Sequence, residues 1–243
     1  MPKQARRRGR PVGAGRPPKG KTGGRGAPRG DRPSKGGRGG PQDEIRSKAR
    51  PGLGEQAVSH FERAVDLLQR DRAAAAVREA QTAKELAPRS GSVREVFGIA
   101  LYRAERFREA LRELQAYRRL TGRVDQNHLI ADSHRALGSP EKALEPAREA
   151  MRARIPEEVR AEAAIVAASA LADLDRFDEA LAMVNAVPTG KGGVKEADLR
   201  VWYVTADLLA RAGRRDEAAA LFQRILRYES DAFDVAERLA ELG

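Results

Sequence analysis

The sequence predicts an all-α solenoid of about five helix–turn–helix units, closed by a C-terminal capping helix and preceded by a disordered basic tail. Three observations predict it. From about Glu55 onward, apolar residues recur at three- and four-residue spacing between short breaks of Gly, Pro, Asp or Ser. A seven-residue motif returns at similar intervals along that stretch. Charge is divided sharply: the first fifty residues carry sixteen Lys and Arg against three acids, whereas the other 193 hold 30 basic and 32 acidic residues.

The tail, residues 1–54, comes first. Its first fifty residues contain twelve Gly, seven Pro and no Phe, Tyr or Trp, so it cannot bury enough apolar surface to offset the entropy of ordering. Residues 15–22, GRPPKGKT, match the phosphate-binding pattern G-x-x-x-x-G-K-T. That pattern works only between a buried strand and a helix, whose N-terminus and loop N–H groups wrap the phosphates. Here the upstream residues offer only Val12 as a branched aliphatic, GGRGAPRGDRP follows, and Pro17 and Pro18 remove two N–H donors. The match is therefore read as accidental.

The chain has no cysteine, which excludes disulfides and zinc–thiolate sites. Its basic start lacks the apolar stretch of a signal peptide, and its longest apolar run, Ala163–Ala172, is too short to span a membrane. A cytoplasmic protein without a membrane partner is expected.

Residues 55–243 form the helical domain. The motif reads ERFREAL at 105–111 and DRFDEAL at 175–181, with weaker copies GSPEKAL at 138–144, GRRDEAA at 213–219 and DRAAAAV at 71–77. Its sixth residue is Ala76, Ala110, Ala143, Ala180 and Ala218, at separations of 34, 33, 37 and 38 residues. Twelve residues before each lies another small one, Ala64, Gly98, Ala131, Ala168 and Ala206. Nine before lie Leu67, Leu101, His134, Leu171 and Leu209. The segment VPTGKGGV at 187–194 reads as a surface loop. At 230–242 the spacing predicts one more amphipathic helix, N-capped by Ser230 or Asp231, with Phe233, Ala236 and Leu239 on its apolar face.

These columns in one register resemble the tetratricopeptide repeat (TPR), a 34-residue helix–turn–helix unit, over roughly residues 56–230. Trp202 and Pro88 fall where that family often has an aromatic and a helix-ending proline; Ala73, Pro140 and Arg215 depart from it at the aromatic of the turn. The resemblance implies ten helices in a right-handed superhelix, with the first helix of each pair lining an inner groove that holds a protein or peptide. Residues expected on that groove are Glu95, Tyr102 and Arg103; His128, Asp132 and Arg135; Glu162, Ser169 and Asp173; and Tyr203, Asp207 and Arg211. The set expected to bind protein is Tyr102, Arg103, His128, Asp132, Arg135, Tyr203, Asp207 and Arg211.

Catalysis is not expected. His128, Asp132 and Arg135 share a helix face, but no Ser or Cys nucleophile is placed beside them, and the face offers too few ligands for a metal. The asparagine and basic pattern of carboxylate-clamp repeats is missing, since Phe61 and Val65 fall where the first unit would supply its polar pair. No cofactor and no metal are expected.

The tail is expected to bind nucleic acid through Arg6, Arg7, Arg8, Arg10, Arg16, Lys19, Lys21, Arg25, Arg29, Arg32, Lys35 and Arg38. RNA or ribosomal particles are favoured, with Arg38-Gly39-Gly40 similar to an RGG element that lacks the usual interleaved aromatics. The alternative is DNA, because Arg8-Gly9-Arg10-Pro11 resembles the core of an AT-hook, whose Arg-Gly-Arg enters a narrow A·T minor groove. A third reading is a purely protein-binding module with a solubilising tail. The expected function is thus a noncatalytic scaffold.

Overall fold

A computed structural model describes residues 39–190 and 192–242. Among the described residues the secondary structure is entirely helical, with twelve α-helices and no strand. They fall into two compact units, one holding residues 39–188 and the other residues 189–242.

The first unit runs α1 (Pro41–Lys48), α2 (Gly54–Gln69), α3 (Ala73–Leu86), α4 (Gly91–Arg103), α5 (Phe107–Thr121), α6 (Asn127–Ala136), α7 (Pro140–Arg152), α8 (Glu157–Ala172) and α9 (Phe177–Asn185). The second runs α10 (Glu196–Arg211), α11 (Arg215–Tyr228) and α12 (Val235–Ala240). Hairpins form from α2 with α3, α4 with α5, α6 with α7, α8 with α9, and α10 with α11. In the first unit α2, α4, α6 and α8 also touch one another in succession, so they make one continuous layer. Within the expected surface loop, residues 187–190 and 192–194 lie outside any helix, between α9 and α10.

One backbone turn closes all five hairpins. Asp71, Glu105, Gly138, Asp175 and Gly213 each lie in the left-handed region, at φ of 53°, 60°, 71°, 59° and 80°. The N–H of the next residue then reaches back to the carbonyl at the leucine column: Arg72 to Leu67 (2.8 Å), Arg106 to Leu101 (2.9 Å), Ser139 to His134 (3.0 Å), Arg176 to Leu171 (2.9 Å) and Arg214 to Leu209 (2.9 Å). This satisfies a carbonyl that the helix end would otherwise leave open. The recurring motif therefore begins on the residue that must turn left-handed. Where its second and fifth residues are Arg and Glu, they form a two-bond fork across the first turn of the next helix, as in Arg106–Glu109, Arg176–Glu179 and Arg214–Glu217.

A side chain added at Gly213 would meet nothing within 4 Å, so the cost there is conformational alone. Gly213→Ala is expected to destabilise by about 1 kcal/mol because an L-residue resists this φ. Equilibrium urea unfolding checks it; an unchanged midpoint would mean that the turn carries no strain.

The small-residue columns pack as their spacing requires. Ala64, Ala76, Ala110, Ala131, Ala143, Ala168, Ala180, Ala206 and Ala218 are all 0% exposed, and Gly98 is buried. At Gly98 even one carbon is too many: a Cβ would lie 2.6 Å from Leu114 Cδ2. Helices whose facing residues are this small can approach closely, and the branched residues beside them fill the remaining space.

Two expectations are corrected. The tail does not extend to residue 54, because α1 lies inside that stretch and packs on α2 and α4. Ile45 is 0% exposed, in a cluster with Ala57, Val58, Phe61, Ala83, Ala87 and Val93. Glu44 accepts hydrogen bonds from the Gly91 N–H (2.9 Å) and the Ser90 hydroxyl (2.5 Å), placing a negative charge at the N-terminus of α4. At the other end, the predicted helix over 230–242 shrinks to Val235–Ala240. Phe233 takes a left-handed φ of 51° while its ring packs on Tyr203, so the chain turns where Ser230 or Asp231 was expected to start a helix. Ala232 and Val235, not Phe233, Ala236 and Leu239, are the buried residues.

Candidate functional site: a polar face on the first helices

The continuous layer of α2, α4, α6 and α8 brings the expected groove residues of the first unit onto neighbouring helices. Tyr102, one residue before the end of α4, donates its hydroxyl to Asp132 on α6. Asp132 also accepts from Arg135 Nε (2.9 Å), one helical turn along, and Arg135 Nη1 crosses to Asp173 after α8 (3.2 Å). One chain of polar contacts thus links three consecutive hairpins. Burial alone would lower the pKa of Arg135, but the neighbouring charges of Asp132 and Asp173 outweigh it and hold the guanidinium above its ordinary value. Arg103 donates to the carbonyl of Leu68 (2.8 Å), and His128 Nδ1 lies 3.0 Å from the carbonyl of Asp125.

Beside this chain is a carboxylate cluster. Gln126 Nε2 donates to Glu95 Oε1 (2.8 Å), Tyr117 donates to Asp125 (2.8 Å), and Arg123 pairs with Asp125. Burial, and then the charge of Asp125, raises the Glu95 carboxyl above its ordinary range. The sign follows directly: an acid whose folded pKa is raised stabilises the fold below its unfolded pKa, and that contribution is lost as pH rises through the folded value. Glu95→Gln is therefore expected to melt higher than the parent at neutral pH, with the difference vanishing in acid. Melting curves across pH test it, and a variant less stable at neutral pH would show that the charged form is the favoured one.

The second unit repeats the device with different residues. Tyr203 on α10 donates to Asp234 (2.6 Å), while Asp207 accepts from Arg238 on α12 and lies 3.9 Å from Arg211. Burial, then the bond to Asp234, pushes the Tyr203 phenol up.

Exposure differs from the expectation for two of these residues. Asp132 and Tyr203 are 8% and 6% exposed, because Asp132 is consumed by Tyr102 on α4 and by Arg135, and Tyr203 by Asp234. Arg103 and Arg211 are the most open of the expected set. Sequence reasoning missed Gln126, Asp234 and Arg238 as partners, although a signal was present. Glu95 to Gln126, Tyr203 to Asp234 and Asp207 to Arg238 are all 31 residues apart, and Tyr102 to Asp132 is 30. A near-repeat spacing between complementary polar residues marks such a bridge.

Among the described residues, no group of three or more His, Asp and Glu is placed to hold a metal ion, and no helix is long and apolar enough to cross a membrane. The twelve tail residues from Arg6 to Arg38, and the motif at 15–22, lie outside the described residues.

The sequence matches no family model, and no curated protein matches it. Solved structures do. A thermophilic TPR protein of Thermus thermophilus is 19% identical with a TM-score of 0.60, over 76% of this chain and 98% of that one. Nearly identical TPR-like repeats from Podosopora anserina give 16% and 0.58, over 72% and 95%. The fold is the tetratricopeptide repeat. YrrB, described as a TPR protein with an unusual peptide-binding site, is 20% identical with a TM-score of 0.52, over 76% of this chain and 92% of that one. In chain order α1 precedes the five TPR hairpins and α12 follows them.

Proposed function

We propose that this chain is a noncatalytic scaffold whose TPR layer holds a protein partner while its basic tail binds nucleic acid, RNA in preference to DNA. The observation that carries the first half is the linked polar face on α4, α6 and α8, where Tyr102, Asp132, Arg135 and Asp173 hold one another in place across three hairpins. Side chains already held in one arrangement lose little freedom when an extended peptide lies across them. YrrB, with the same fold, is described as having a peptide-binding site. The second half rests on the thirteen Lys and Arg against one acid in residues 1–38, a density suited to phosphate contacts. Work inside a cell's cytoplasm, beside RNA or ribosomal particles, is consistent with the absence of cysteine.

The test for the groove is site-specific photo-crosslinking in cells. A benzophenone residue at Arg103, on the inner layer, should trap a protein partner, whereas one at exposed Arg112, on α5, should not. Trapping from Arg112 alone would move the binding surface to the outer helices. The DNA alternative rests on Arg8-Gly9-Arg10-Pro11. Arg8→Lys with Arg10→Lys keeps the phosphate contacts and should weaken RNA binding less than about threefold. Loss of a strong preference for A·T-rich duplex in that variant would decide for DNA.

A further inference from the structure

The second unit carries an aromatic and cationic surface that the peptide groove does not use. Tyr228, at the end of α11, is 57% exposed, although its ring packs 5.5 Å from that of Trp202 on α10. Trp202 itself is 5% exposed and is fixed from the other end by its indole N–H, which donates to the Thr189 hydroxyl (3.1 Å). The guanidinium of Arg224 lies 3.8 Å from the centre of the indole ring. Arg224, Arg227 and Tyr228 fall on one face of α11 by their spacing of three and four, and all three are exposed.

This face places positive charge beside an aromatic ring. At the starts of α5, α9 and α11 an arginine pairs with a glutamate one turn on, as Arg214 does with Glu217. Among the described residues neither Arg224 nor Arg227 has an ion-pair partner, and residues 218–228 contain both arginines and no acid, the nearest acids in sequence being Glu217 and Glu229. An exposed tyrosine beside two guanidinium groups that make no ion pair offers a π-face and positive charge together. An unpaired nucleobase with its phosphate has the complementary pair of features. The tail has the opposite deficiency, with many cations and no aromatic residue.

We infer that Tyr228, Arg224 and Arg227 form a stacking site for single-stranded nucleic acid, on which a base lies against Tyr228 and the flanking phosphates meet the two arginines. Duplexes are poor ligands because their bases are already stacked. The site deepens the proposed nucleic-acid role of the chain, and it supplies the base contact that the tail cannot make.

The experiment uses the full chain and oligouridine, oligothymidine and a blunt duplex, each of about twelve nucleotides, within the range that single-strand sites cover. Trp202 is the protein's sole tryptophan, so its emission reports on this surface. Both single strands should quench it. Tyr228→Ala should weaken single-strand binding about fivefold to tenfold, as expected for one lost stacked base, while Tyr228→Phe retains it. Duplex affinity and the dependence on salt should not change in Tyr228→Ala. A difference between the two single strands would assign the site to RNA or to DNA. Unaltered affinity in Tyr228→Ala, or unaltered Trp202 emission at saturating single strand, overturns the site. So does loss of a protein partner by Tyr228→Ala with nucleic-acid binding intact. Glutamine at Arg6, Arg7, Arg8 and Arg10 tests the tail separately: if the salt dependence stays the same, the tail reading fails while the stacking site stands.

Discussion

Deleting residues 1–50 should destabilise the first unit severely, whereas deleting residues 1–38 should leave its melting nearly unchanged. The difference is α1. Ile45 is fully buried among Ala57, Val58, Phe61 and Val93, and Glu44 satisfies both the N–H of Gly91 and the hydroxyl of Ser90 at the start of α4. Ile45→Ala alone should cost about 2–5 kcal/mol, since a buried aliphatic is lost and a cavity remains. Removing the whole helix also exposes part of the apolar surface of α2 and α4 and leaves the first turn of α4 without its carboxylate. Circular dichroism melts of the two truncations and of Ile45→Ala make the comparison. Equal melting of the two truncations would mean that α1 contributes nothing to the unit.

The same shorter deletion should remove most nucleic-acid affinity. Without residues 1–38 the chain has 33 basic and 34 acidic residues, so long-range attraction to phosphate disappears. In the intact protein five to eight phosphate contacts would give a log–log salt slope of roughly −3.5 to −5.6 on single strands. That slope corresponds to a loss of about 10²–10³ in affinity between 50 and 200 mM salt. The truncated chain should keep only a shallow slope of roughly −1.4, from the two arginines beside Tyr228. Filter binding across salt measures both quantities. Full affinity in the truncated protein would shift the binding site to the arginines of the repeats.

What the sequence made legible was the part governed by sterics within one hairpin. Small residues at Ala110 and Ala180, and leucines at Leu101 and Leu171, recur because two helices can meet closely only at fixed positions. Helix α1 was hidden because its surroundings are glycine, proline and charge, and a single apolar residue, Ile45, carries its burial. The short α12 was misread because Ser230 and Asp231 look like N-caps, while the packing of Phe233 on Tyr203 decides where the chain turns. Periodicity placed Tyr102, Asp132 and Arg135 together on the layer of first helices. It could not tell that Asp132 is used up by Tyr102 and Arg135, because that depends on how one hairpin sits on the next.

The five matching left-handed turns have a consequence for how such a chain can change length. Asp71, Glu105, Gly138, Asp175 and Gly213 are equivalent backbone junctions, each followed by the same N–H returning to the same carbonyl position. A segment duplicated or excised between two such junctions of the first unit begins and ends on closely similar backbone geometry, so the splice leaves no unsatisfied helix end. The faces of the helices can then diverge without disturbing the joint. Within the first unit, a duplication from Glu105 to Gly138 would add a hairpin's worth of surface while each new neighbour meets small residues of the kind already present at Gly98, Ala110, Ala131 and Ala143. Array length is thereby uncoupled from the identity of the residues that face a partner.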